Sequence, residues 1–212
     1  MNLQETEKQL QKRLQYPYIW YRKQNDIWDK YTNFIYRINN WNDLITEITL
    51  TVEKHQLNKQ EVFYYAINRW YNFWSAMAVE QLFCSFSEVK PGLNSRNKLI
   101  DFTINGIPFD HKTSVFPKGF KKDIFYAKAH KKELINWLYK NQSIQKRYHL
   151  KNRLFIIVYN SHGEHWKLKS DLRLLKKEIN NYVTNFNSSQ LQKFIFTPET
   201  ETFSDIIWVE NI

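Results

Sequence analysis

Asp101, Asp110 and Lys112 flank an Asn105-Gly106 pair, and their types suit metal-assisted hydrolysis of a phosphodiester. That reaction needs a nucleophilic hydroxide and charge stabilisation at the reacting phosphate, and a hard divalent cation supplies both. Mg²⁺ takes oxygen ligands in near-octahedral geometry, usually only one or two of them protein carboxylates. Asn-Gly is the strongest short hairpin signal, because both central positions of a type I′ turn need φ > 0. A turn there is expected to pair Ile104 with Ile107, Thr103 with Pro108, Phe102 with Phe109 and Asp101 with Asp110.

Side chains alternate along a strand, so Asp101, Asp110 and Lys112 are expected on one face and Phe102, Ile104, Ile107 and Phe109 on the other. Directly opposed residues have Cβ atoms roughly 4.5–5.5 Å apart, where like charges repel. Two carboxylates so placed make sense chiefly around a cation. The bland alternative is a surface ion cluster worth little. Lys112 suits orienting an attacking water or neutralising phosphate charge. His111 is expected on the apolar side as a structural residue, with its backbone carbonyl available to a metal shell.

These residues need elements to position them. Asn58-Lys-Gln-Glu61 reads as a capping box opening a long, largely buried helix from Val62 to Phe86. Glu80 lies inside that apolar run, where a carboxylate must be paired, metal-bound or protonated; Glu88 is its rival as a third acid. Beyond the hairpin, a helix is expected over about 124–141, a buried central strand over 154–159 and an amphipathic helix through Leu172, Leu175, Ile179 and Val183. Closing strands are expected at Lys193–Thr197 and Asp205–Val209. Residues 1–58 read as a helical extension on a core of 59–212, the whole being an α/β chain with a mixed sheet flanked by helices.

The chain has 212 residues, enough for a substantial core, and its length favours one domain with an appendage. A formal charge of +10 favours polyanionic partners. Lys118, Lys121, Lys122 and Lys128 follow the hairpin and Arg96 and Lys98 precede its acids, a distribution suited to tracking a phosphate backbone. A single cysteine, Cys84, excludes an intramolecular disulfide. The polar N-terminus and the absence of an 18-residue apolar segment give the expectation of a cytoplasmic protein without a membrane partner. His162-Gly-Glu-His165 lacks the His-Glu-x-x-His spacing of a metal helix and reads as a polar loop.

Asp101 followed by Asp110-His-Lys112, with Glu80 on a preceding helix, resembles the PD-(D/E)xK nuclease superfamily. Ile100 stands in place of the nominal proline, the second acid is Asp rather than the commoner Glu, and the interval between the acids is short. The resemblance implies a restriction-endonuclease-like core, with metal on Asp101 and Asp110, Lys112 as the catalytic lysine and Glu80 completing or anchoring the metal site. It further implies an endonuclease using Mg²⁺, with Mn²⁺ as substitute, acting on double-stranded DNA and capable of working as a homodimer. A catalytically inactive nucleic-acid-binding module on the same core is the alternative.

Overall fold

The computed structural model describes residues 1–92, 100–141, 151–198 and 200–212. They form two compact units, Met1–Ala78 with Ser170–Leu172, and Val79–Lys169 with Arg173–Ile212. The division falls within one helix rather than at the expected boundary after residue 58. Aromatic side chains fill the earlier turns of that helix, whereas its last turn carries Phe83, which stacks on Phe102 at 4.3 Å between ring centroids.

The first unit holds α1 (Leu3–Lys12), α2 (Asp26–Tyr31), α3 (Trp41–His55) and the start of α4 (Lys59–Phe83). Asparagines open all four: Asn2, Asn25, Asn40 and Asn58 accept backbone N–H groups from the first turns that follow them. Each such cap contributes about 1 kcal/mol. Within the helical extension expected over residues 1–58, the stretch containing Pro17 and Tyr21, whose φ is +54°, is irregular, and the Asn25 cap starts a new helix at Asp26. Aromatic side chains make the core here. Trp70 packs edge-on to Trp41 and donates its indole N–H to the Ile38 carbonyl at 2.7 Å, while Tyr65 meets Trp28. The fully buried Arg13 donates to Asn68 and to the Tyr16 and Pro17 carbonyls, and burial pushes its pKa down to about 10.

The second unit is built on a six-stranded mixed sheet. Its strands are β1 (Val89–Pro91), β2 (Phe102–Ile104), β3 (Ile107–Val115), β4 (Arg153–Asn160), β5 (Gln192–Thr197) and β6 (Thr200–Asn211), in the order β1-β2-β3-β4-β6-β5. Pairs β1/β2, β2/β3 and β5/β6 are antiparallel, and β3/β4 and β4/β6 are parallel. The apolar β4 is therefore central, as a continuous hydrophobic run requires. Asn105 and Gly106 turn the β2–β3 hairpin with φ of +47° and +83°.

The helix expected over about 124–141 is two helices, α5 (Ile124–Ala129) and α6 (Lys131–Asn141). His130 breaks it at φ −120° and ψ 47°, and its carbonyl accepts the first N–H bonds of α6, from Glu133 and Leu134. Leu134, Ile135 and Leu138 of α6 pack on Phe155 and Ile157 of β4. After β4 comes a 3₁₀ turn, His165–Ser170, and then α7 (Leu172–Thr184). No helix among the described residues is long and apolar enough to cross a membrane.

Candidate active site

The hairpin pairs in the expected register only as far as Phe102 opposite Phe109. One residue earlier the strand departs: the Asp101 N–H donates to the Phe109 carbonyl at 2.9 Å, and the Asp101 carbonyl accepts the Gly92 N–H at 2.9 Å. Asp101 is thus not the strand partner of Asp110 that alternation alone suggests. Where β2 leaves, β3 would carry an unsatisfied N–H at His111, and the Asp101 carboxylate accepts it at 2.8 Å. The same oxygen lies 2.7 Å from His111 Nδ1. A side chain here replaces a strand, which brings the Asp101 carboxylate to the open edge of β3. Gly92 is required beside it, because a Cβ at that position would overlap the Ile100 carbonyl oxygen.

His111 turns to the apolar side as expected, with its ring against Phe102 and Phe83 at centroid distances of 5.9 and 6.3 Å. Burial opposes its charge, but the Asp101 hydrogen bond and the charges of Asp101, Asp110 and Glu80 prevail and raise its pKa. Burial likewise opposes the Asp101 charge, yet the His111 bonds hold that carboxyl below its ordinary value.

Asp110 and Lys112 occupy the other face of β3, because they alternate with Phe109 and His111. Parallel pairing sets Asp110 beside Arg153 and Lys112 beside Phe155. Arg153 closes on Asp110, with Nε and Nη2 each 2.5 Å from Oδ2. Burial and the neighbouring Asp101 charge nevertheless push the Asp110 carboxyl up. Lys112 is pushed below its ordinary value, mainly by burial and then by Arg153. Glu80, on the last turns of α4, is raised by burial and by Asp101. Three carboxylates, Glu80, Asp101 and Asp110, therefore share one electrostatic neighbourhood with His111, Lys112 and Arg153.

Two members of this neighbourhood escape a reading of the sequence. Arg153 merely opens an apolar strand, and only the β3/β4 register reveals its partner. Lys169, in the 3₁₀ turn, is buried and within electrostatic range of Lys112, and burial followed by the Lys112 charge pushes it down to about 8. Neither carried a local signal.

Comparison with known protein families, curated proteins and solved structures finds no match. The chemistry of the site must therefore be judged on its own residues. Among the described residues no three His, Cys, Asp or Glu side chains form a ready cation cage. Asp101 and Asp110 are sufficient for the one or two carboxylates that Mg²⁺ takes from a protein. Carboxylate pairs that raise one member's pKa are the form a hard cation stabilises, and this donor set fits Mg²⁺ or Mn²⁺.

The basic residues divide. Lys118, Lys121 and Lys122 are exposed around the 3₁₀ turn Lys118–Phe120. Lys128 is paired with Glu210, 2.6 Å from Oε1. Arg96 and Lys98 lie outside the described residues. Glu88 accepts a hydrogen bond from the Ser87 hydroxyl at 3.0 Å, and it is Glu80 that feels the charges of Asp101 and His111. His162–His165 is a polar turn: His165 Nδ1 accepts the Asn160 N–H at 3.0 Å, and Glu164 pairs with Lys167 at 2.6 Å.

Proposed function

We propose that this chain is a metal-dependent nuclease of the PD-(D/E)xK type, hydrolysing phosphodiester bonds in DNA with Mg²⁺ or Mn²⁺. The observation that carries the reading is the convergence of Asp101 and Asp110 where β2 leaves β3, with Lys112 one alternation from Asp110 on the same face. Element order agrees: an acid-bearing helix, a hairpin with one acid on β3 and the other just before β2, a helical layer and a parallel central strand.

In this reading Asp101 and Asp110 supply the carboxylate oxygens for the cation, which when bound supplies a hydroxide at neutral pH and offsets charge on the phosphate. Asp101 is oriented for this by its two bonds to His111. Lys112, its charge disfavoured by burial, is suited to exchanging a proton with the attacking water or to facing a phosphate oxygen. Glu80, its proton held more tightly by burial, completes the acidic side of the site. Exposed Lys118, Lys121 and Lys122 offer positive charge to the phosphate backbone of the substrate.

A second reading, an inactive nucleic-acid-binding module, draws on the Arg153 ion pair that engages Asp110. The two separate on a panel of plasmid, linear, branched and single-stranded substrates in Mg²⁺ and Mn²⁺. The nuclease reading expects metal-dependent cuts that disappear in Asp110→Asn and Lys112→Ala variants of unchanged fold. Salt-sensitive binding with no cut on any substrate supports the module instead.

A further inference from the structure

We propose that Arg153 is a phosphate-binding residue of this site, held on Asp110 while the carboxylate lacks a metal and released toward a substrate phosphate when the carboxylate binds one. The inference rests on the metal reading of Asp101 and Asp110. Its geometry is that of adjacent strands: Arg153 and Asp110 are register partners in β3/β4, so their side chains share a face, and Lys112 follows on that same face. Arg153 and Lys112 thus flank one carboxylate from two strands. The guanidinium is supported from beneath by aromatic rings, 5.6 Å from the centroid of Tyr139 and 5.8 Å from that of Phe155. Tyr139 is itself anchored by its hydroxyl, which donates to the Lys151 carbonyl at 2.8 Å and meets Ser204 Oγ at 2.6 Å. This platform holds the cation at the site whether or not Asp110 accepts it.

Charge makes the exchange necessary. Without metal, Arg153 is the cation that faces the Asp110 carboxylate. A divalent cation on the two carboxylates removes the anion that Arg153 faces and sets a like charge beside it. The side chain is 14% exposed, so the guanidinium cannot simply disperse its charge into water. A phosphodiester supplies the missing anion, and a planar fork of donors matches phosphate oxygens as well as it matches a carboxylate. Cation and nucleic acid therefore bind cooperatively, each making the other's site.

The test uses the full chain, with Mn²⁺ uptake followed by the electron-spin-resonance signal of the free ion, and a short DNA duplex titrated in EDTA and in Ca²⁺. Arg153→Gln removes the competitor for Asp110, so Mn²⁺ without DNA binds about tenfold tighter, a change of about 1.4 kcal/mol. The same variant binds the duplex about tenfold more weakly in Ca²⁺ and with little change in EDTA. Arg153→Lys, which keeps a point charge without the fork, falls between wild type and Arg153→Gln in both measurements and serves if the Gln variant does not fold. Mn²⁺ affinity equal to or below wild type in these variants, or duplex affinity in Ca²⁺ that does not fall, overturns the proposal. Asp110→Asn separates this from the parent reading: wild-type Mn²⁺ affinity in that variant removes the metal site itself, whatever Arg153 does.

Discussion

Lys169 offers the most quantitative handle on the electrostatics of the site. It is buried, and burial with the Lys112 charge pushes its pKa from the ordinary 10.5 to about 8. Below pH 8 both folded and unfolded chains carry the proton and the full penalty is present. Between pH 8 and 10.5 the unfolded chain binds more protons, so stability rises with pH. A pKa lowered from 10.5 to about 8 is a penalty of about 3 kcal/mol at pH 7, which falls to about 1 kcal/mol by pH 9.5. Lys169→Met removes this penalty while keeping most of the side chain's volume. The variant should therefore be about 3 kcal/mol more stable than wild type at pH 7, and the gain should shrink to about 1 kcal/mol at pH 9.5. Urea unfolding of both proteins from pH 7 to 9.5 measures this, with hydrogen exchange on the peptides covering β3 and β4 reporting the second unit by itself. A stability difference that stays constant over this range refutes the placement of a charged Lys169 in a buried, like-charged setting.

Asp101→Asn tests the His111 pair. The folded pKa of His111 is raised, so its contribution is complete below about 6.5 and is lost as pH rises through the folded value; the Asn variant should lose about 2 kcal/mol at pH 5.5 and less at pH 8. NMR titration of His111 should give a value above 6.5 in wild type and a lower one in Asp101→Asn, where burial is opposed only by the Asp110 and Glu80 charges; a value unmoved by the substitution contradicts the pairing. Gly92→Ala forces the Ile100–Asp101 backbone aside, and should cost about 1–3 kcal/mol while weakening Mn²⁺ binding as Asp101 is displaced. Wild-type stability and Mn²⁺ affinity in that variant would show that Gly92 does not set the position of Asp101.

Local chemistry made some of this legible. Asn105-Gly106 required positive φ and turned the hairpin; Asn58 capped α4; the unbroken apolar run at 154–158 became the central strand. Those features depend on neighbours in sequence. The departure of β2 at Asp101 depends instead on an N–H of His111 and a carbonyl of Phe109, and the break at His130 on its own φ and ψ. Alternation along an ideal ladder placed Asp101 opposite Asp110, but the ladder ends one pair earlier. Arg153 and Lys169 come to the site through a parallel register and a 3₁₀ turn, relations between segments that no periodicity encodes.

The central claim is that Asp101 and Asp110 jointly hold a divalent cation. Crystals of the protein soaked in Mn²⁺ and measured for anomalous scattering test it most directly. The account predicts a peak between the two carboxyl groups, within coordination distance of an oxygen of each, with Arg153 moved off Asp110. No peak there, with the Arg153 ion pair intact at saturating Mn²⁺, would contradict it.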